Sequence, residues 1–373
     1  MRQKKLKLEE ILNLKKWFVA VPLTLALAFG VAACGSSDSD SGGSSGDTVS
    51  GEIAGAGSSA QEAAMNGWIA AFQDANPDAT LSYDPVGSGG GREQFIAGGT
   101  SFGGTDSPMD ETELADVAKR CDPGDYIEIP VYISPIAMAY NIDGVDDLNL
   151  SADTAAQIFA GDITKWNDPA IAADNPNADL PDQDIVVVHR SDESGTTENF
   201  TDYLHQNSPK YWPDEGDGVW PLKGGEAANG TSGVVSAIKS GSGTIGYADL
   251  SQVGDLNVAN VKVGDSYVAP SAEAAAKIFE ESKRIQGEGK YVFAYDLDRT
   301  AAAQGLYPIS LVSYEMACTT YDKADEAKLV KAFYTYIISE EGQQDAATTA
   351  GSAPIPDSLR KEITPAVEAI QTS

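Results

Sequence analysis

The stretch Thr48-Val-Ser-Gly-Glu-Ile-Ala-Gly55 runs through a short turn, Ala56-Gly-Ser-Ser-Ala60, into Gln61-Glu-Ala-Ala-Met-Asn-Gly-Trp-Ile-Ala-Ala-Phe-Gln-Asp-Ala75. The first segment reads as a strand. The last puts Ala63, Trp68, Ile69 and Phe72 on one helical face, so a helix is predicted over Ser59–Ala75. The same grammar recurs. Thr80–Val86 is a strand that leads through Gly87-Ser-Gly-Gly90 into a helix from about Gly91 to Ala97. Ser101–Gly104 leads through Gly104-Thr-Asp-Ser107 to a helix near Glu111–Lys119, and Ile185–Val188 leads through Arg190-Ser-Asp-Glu-Ser-Gly-Thr196 into Ser194–Gln206. Repeated strand–loop–helix units imply parallel strands in an α/β fold, with ligands at the carboxyl ends of the strands.

Those ends carry the chemistry. Backbone N–H groups in the first turn of a helix have no intrahelical partner and carry partial positive charge, so they favour anions. Four such loops, one with Arg190 and one with Asp106, predict a cage of donors around a small oxyanion.

Farther along, Ile127–Tyr140 is extended, apolar and broken by two prolines, which suits a strand crossing into a second domain. Thr154–Phe159 and Gly233–Lys239 read as helices and Thr244–Asp249 as a strand. Tyr307–Ala317 is extended again and returns the chain, before an amphipathic C-terminal helix at Glu326–Ser339. The expected architecture is two lobes, each a mixed sheet flanked by helices, with the two crossing segments as hinge. Lobe 1 is discontinuous (51–134 and 312–373) and lobe 2 is 135–311.

The N-terminus reads as an address. Arg2, Lys4, Lys5, Lys7, Lys15 and Lys16 precede an apolar run, Trp17–Ala33, that ends in Val31-Ala-Ala-Cys34. Basic start, short apolar core and small residues mark an export signal. The ending resembles the lipobox of bacterial lipoproteins, which implies that residues 1–33 are removed and that Cys34 receives a lipid. Residues 34–50 are almost wholly Ser, Gly and Asp, too polar to bury surface, and read as a flexible tether. The protein is therefore expected to be extracytoplasmic and anchored to the cell membrane.

Net charge is −31. Losing the leader's six basic and two acidic residues removes +4 and leaves −35. Such a field repels nucleic acid, and it forces an anion site to work by short-range hydrogen bonds. Besides Cys34, only Cys121 and Cys318 remain, and two cysteines in an exported chain are expected to pair.

With these loops in view, the chain resembles the substrate-binding protein of the bacterial ABC phosphate uptake system, a periplasmic-binding-protein-like fold of type II. The likeness rests on Gly55-Ala-Gly-Ser-Ser-Ala60, Val86-Gly-Ser-Gly-Gly-Gly91, Phe102-Gly-Gly-Thr-Asp-Ser-Pro108, Gly161-Asp-Ile-Thr-Lys-Trp-Asn-Asp-Pro169, Arg190-Ser-Asp-Glu-Ser-Gly-Thr196 and Gly243-Thr-Ile-Gly-Tyr247. It implies a phosphate site made by Ser59, Ala60, Ser88 and Asp106 from one lobe and Arg190, Ser194, Gly195 and Thr196 from the other. Ser59-Ala60 departs from members with Thr then Phe there. The resemblance further implies inorganic phosphate as ligand, ABC permease subunits as partners, a monomer, and no cofactor or metal.

The residues support that reading independently. Orthophosphate near neutral pH keeps one or two protons and sulfate keeps none, so a carboxylate such as Asp106 accepts a bond from the first and repels the second. Arg190 can hold phosphate oxygens and also neutralise Asp106. Gly55-Ala-Gly-Ser-Ser-Ala60 also fits a relaxed dinucleotide fingerprint, yet the acidic residue after the second strand is poorly placed. An enzyme would need a nucleophile or metal: there is no Gly-x-Ser-x-Gly elbow, and His189 and His205 lack metal-ligand spacing. His189 is read as a strand-end residue and Trp166 as packing.

Overall fold

The computed structural model describes residues 49–301 and 303–373. The leader, Cys34 and nearly all of the tether lie outside them. Among the described residues no helix is long and apolar enough to cross a membrane.

Strands β1 (Gly51–Gly57), β2 (Ala79–Asp84) and β3 (Phe102–Thr105) run parallel, with β1 in the middle. Between them come α1 (Glu62–Ala75) and α2 (Ser88–Ile96), and α3 (Glu111–Arg120) follows. The apolar face of α1 is Ala64, Met65, Trp68 and Phe72, all buried. Helix α3 opens on a capping box, in which Asp110 Oδ1 accepts from the N–H groups of Thr112 and Glu113 at 2.7 and 2.8 Å, and Glu113 Oε2 accepts from Asp110 N–H at 3.1 Å.

The long strand β4 (Tyr126–Asn141) joins the two halves of the molecule. Helix α4 (Ala152–Ala160), strand β5 (Val186–Arg190), helix α5 (Gly195–Asn207), strand β6 (Glu226–Ala228), helix α6 (Gly230–Ser240) and strand β7 (Thr244–Asp249) build the second half. Helix α7 (Ala272–Glu281) and strand β8 (Ser310–Cys318) lead back to the first half, closed by α8 (Ala324–Ile337), α9 (Glu340–Ala350) and α10 (Asp357–Glu368). The strand order is β2-β1-β3-β8-β4-β7-β5-β6.

The prolines of β4 have positions that explain them. Residues 126–135 of β4 pair antiparallel with β8, and from Ile136 onward β4 pairs instead with β7. Pro135, which has no N–H to give a ladder, stands at that change of partner. At Pro130 the register against β8 shifts between Ser313 and Tyr314, and the irregularity absorbs the missing donor. All but the last residue of β4 are buried, as in a strand covered on both faces.

The sequence reading is corrected at several ends. The first strand is Gly51–Gly57, and α2 starts at Ser88, ahead of the glycine run. Helix α8 is not the last helix, because α9 and α10 follow it. Trp68 Nε1 donates to Gly342 O of α9 at 2.6 Å, so the chain's end packs on its first helix. Cys121 and Cys318 are disulfide-bonded, which joins the end of α3 to the end of β8.

Candidate functional site

Each loop of the site follows the carboxyl end of a strand. After β1, Ser58 Oγ accepts from Ala60 N–H at 3.1 Å and so caps the turn. Gly57 has φ +151°, and a Cβ there would lie 1.9 Å from Gly104 O, so only glycine lets the ends of β1 and β3 come together. After β2, Gly87 N–H donates to Gly57 O at 2.9 Å, which seats the N-terminus of α2 against the same point.

Asp106, after β3, is the centre. It is 3 % exposed. Its Oδ1 accepts from Ser313 Oγ of β8 at 2.6 Å, and its Oδ2 lies 3.5 Å from both Ser88 Oγ and Thr196 Oγ1. Its N–H donates to Ser88 Oγ at 3.1 Å. Burial raises the pKa of the carboxyl above its ordinary value, while the hydroxyls of Ser313, Ser58 and Ser88 and the charge of Arg190 pull it back. A buried carboxylate ringed by hydroxyls can accept a proton-borne hydrogen bond from a guest, because hydroxyls turn to donate or accept.

The other half supplies β5 and its loop. Arg190 is 2 % exposed and points its guanidinium at Asp192: Nε donates to Oδ1 at 2.8 Å and Nη2 to Oδ2. Gly230 N–H, at the start of α6, donates to the same carboxylate at 3.0 Å. Burial alone would raise Asp192, but the bonds and charge of Arg190 outweigh it and hold the carboxyl below its usual range. Arg190 thus makes its hydrogen-bonded ion pair with Asp192, and its charge still acts on Asp106 to lower that carboxyl. Arg190 is paired within its own loop, and the short Arg190-Ser-Asp192 spacing makes that partner the nearer one. Ser194 caps α5 by accepting from Thr197 N–H at 3.3 Å, and Gly195 abuts the first half so closely that a Cβ would meet Asp106 Cβ at 2.6 Å and Ser88 Oγ at 2.8 Å.

All eight residues read from sequence thus stand in one buried region: Ser59, Ala60, Ser88, Asp106, Arg190, Ser194, Gly195 and Thr196. Ser59 and Ala60 are bonded to residues of the second half. Ser59 Oγ lies 3.0 Å from Thr231 Oγ1 and accepts from Thr231 N–H at 3.1 Å, while Gln252 Nε2 donates to Ser59 O and Ala60 O at 2.7 and 3.1 Å.

The sequence reading missed Asp192, Ser313 and the turn Asn229-Gly230-Thr231. That turn follows the rule that located the others, a Gly/Ser/Thr run opening a helix, and could have been found by it. Asp192 lay inside a quoted loop. Ser313 had no local signal. Among the described residues no group of three His, Cys, Asp or Glu side chains could hold a metal ion. Trp166 is fully buried and donates Nε1–H to Gly243 O at 3.1 Å, and His189 is the penultimate residue of β5, with Nδ1 2.9 Å from Arg190 O.

Comparison with known proteins agrees with this architecture. A family model described as a PBP superfamily domain matches residues 42–341. The chain is 38 % identical over 322 residues to the phosphate-binding protein PstS 3 of Mycobacterium leprae, covering 84 % of this chain and 85 % of that protein. It is 37 % identical over 368 residues to phosphate-binding protein PstS 2 of Mycobacterium tuberculosis, covering 94 % and 98 %. Among solved structures, a high-affinity periplasmic phosphate-binding protein, PfluDING, bound with phosphate, superposes with a TM-score of 0.69 at 23 % identity, covering 84 % of this chain and 93 % of the other. A phosphate-binding protein from Stenotrophomonas maltophilia gives 0.65 at 19 %, covering 85 % and 94 %, and both share the two-lobed fold. By the family model and by these relatives, the chain belongs to the PBP superfamily and, within it, to the family of the PstS phosphate-binding proteins.

Proposed function

We propose that this protein is an extracytoplasmic lipoprotein that captures inorganic phosphate between its lobes and delivers it to an ABC permease. It does so as a binding protein, without catalysis. The lobes are 51–134 with 312–373, and 135–311; Cys34 carries the lipid. Ser59, Ala60, Ser88 and Asp106 meet the ion from one side and Arg190, Ser194, Gly195 and Thr196 from the other.

The observation that carries the reading is the buried Asp106 carboxylate, hydrogen-bonded by Ser313 and lined by Ser88 and Thr196 from opposite halves. A wholly donor cage would hold sulfate and phosphate alike, whereas a carboxylate in its wall needs a guest that brings its own proton. Bonds to charged groups contribute roughly 1.5–3 kcal/mol each, so about ten of them sum well above the ~8 kcal/mol of micromolar binding, and dehydration of the ion consumes most of that gross gain. Because donors come from both lobes, the ion itself favours closure, and the closed form is what a transporter can select.

Calorimetric titration of ligand-stripped protein with phosphate, sulfate and arsenate tests this. Heat and saturation with phosphate, and none with sulfate at the same concentration, are expected. No uptake of phosphate at millimolar concentration would refute the reading, as would robust hydrolysis of phosphate esters.

A further inference from the structure

Two buried residues outside the predicted ion contacts hold Asp106 in place. Asn199 lies one helical turn beyond Gly195 in α5. Its Nδ2 donates to Asp106 O across the lobes at 2.8 Å and to Gly195 O at 2.8 Å. Its Oδ1 accepts from Arg299 Nη2. A guanidinium has donors and no acceptor, so the amide can present only its oxygen to Arg299, and both N–H groups must then face the two carbonyls.

Arg299 is 3 % exposed and makes four side-chain hydrogen bonds to protein. Its Nη1 donates to Pro308 O at 3.1 Å and Ser310 O at 2.9 Å, and its Nε to Asp202 Oδ2 at 2.6 Å. An arginine buried this far needs all of these partners, which fixes its fork rigidly between α5 and the start of β8. It therefore reaches Asp106 by two routes. One runs through Asn199 to the main-chain carbonyl. The other runs along β8 from Ser310 to Ser313, whose Oγ donates to the carboxylate at 2.6 Å. Asp106, Asn199 and Arg299 also line a cavity of about 680 Å³, so the loop has room to move if the clamp is removed.

We infer that Asn199 and Arg299 are positioning residues that aim the Asp106 carboxylate at the bound ion and thereby set discrimination between protonated and unprotonated tetrahedral anions. The inference rests on the phosphate-binding reading.

The test is competition of sulfate against labelled phosphate in equilibrium dialysis, on the full-length protein and on Asn199→Ala and Asn199→Asp, with thermal melting in parallel. The Asp variant is isosteric, keeps its contact to Arg299 and sets an acceptor against the Asp106 and Gly195 carbonyls, so the two variants release the clamp in different ways, one by loss of contact and one by repulsion. The phosphate-to-sulfate affinity ratio is expected to fall at least tenfold in a folded variant. A merely structural role would weaken both anions together. A folded variant with the wild-type ratio would overturn the inference, and wild-type protein that takes up neither anion would instead overturn the binding reading itself.

Discussion

Arg92 and Glu193 are ion-paired across the lobes at 2.7 Å, the arginine buried in the middle of α2 and the glutamate half-exposed in the loop before α5. Arg92 keeps a second partner in its own half, Glu113 at 2.8 Å, and its Nη1 donates to Thr105 and Ser107 on either side of Asp106 at 3.1 Å each. Opening the lobes would break the Glu193 contact alone. The pair is therefore expected to act as a latch that favours closure.

Because Glu193 is half-exposed, solvent limits the latch to about 1 kcal/mol or less. Glu193→Gln should therefore raise the Kd for phosphate about two- to fivefold, through faster release, with no change in preference among anions. Added salt should shrink the difference by weakening the wild type. Equal release rates for the two proteins in stopped flow at low salt would dispose of the latch.

Asp106→Asn should reduce phosphate affinity about tenfold or more while relieving the repulsion of sulfate, so that selectivity collapses further than total anion affinity. Ser88, Thr196 and Ser313 remain to satisfy an amide, so the variant should still fold. Parallel titrations with the two anions check this. Equal proportional loss for both would remove Asp106 from the role of proton acceptor.

Asp192→Asn leaves a buried Arg190 with its charge uncompensated. Breaking one side of such a pair costs about 3 kcal/mol, so the ligand-free protein should melt at lower temperature. An anion would then supply the missing countercharge, and the rise in Tm on adding phosphate should exceed that of the wild type. Differential scanning calorimetry with and without phosphate decides the matter. Unchanged ligand-free stability, or a smaller rise, would contradict the pairing argument.

The loops were legible in the sequence because their chemistry is local: glycine, serine and threonine directly after an apolar run, with Asp106 and Arg190 standing out by charge. Partners that arrive from a distance left no such trace. Ser313 is 207 residues from Asp106, inside an apolar extended run where one hydroxyl means nothing alone. Thr231 follows a strand of only three residues, Glu226–Ala228, too short to show as alternation. The start of α2 was misplaced because its glycines are poor helix formers. They are there because the backbone approach requires them, a Cβ at Gly91 falling 2.3 Å from Gly57 Cα. Helix α9 is polar and rich in small residues, which weakens its periodic signature, while α10 is amphipathic but carries Pro365, a residue that argues against a helix interior.

The core of the first half carries its own pH dependence, through Glu128 of β4. It is fully buried, and its Oε2 accepts from Tyr126 Oη–H at 2.6 Å while Oε1 has no hydrogen-bond partner among the described groups. Burial pushes its pKa up to about 7, with Glu288 adding to the rise and Tyr126, the Met109 backbone and Arg92 opposing it. A carboxyl raised in the folded state binds its proton more tightly there than in the unfolded chain. Its stabilising contribution is complete below about pH 4.5 and is lost as pH climbs through about 7, a swing of about 3 kcal/mol. Glu128→Gln mimics the protonated side chain at every pH. Urea unfolding should give similar stabilities for the two proteins near pH 4.5 and a more stable variant, by up to about 3 kcal/mol, at pH 8. A difference that stays constant across that range would show that Glu128 does not titrate between them.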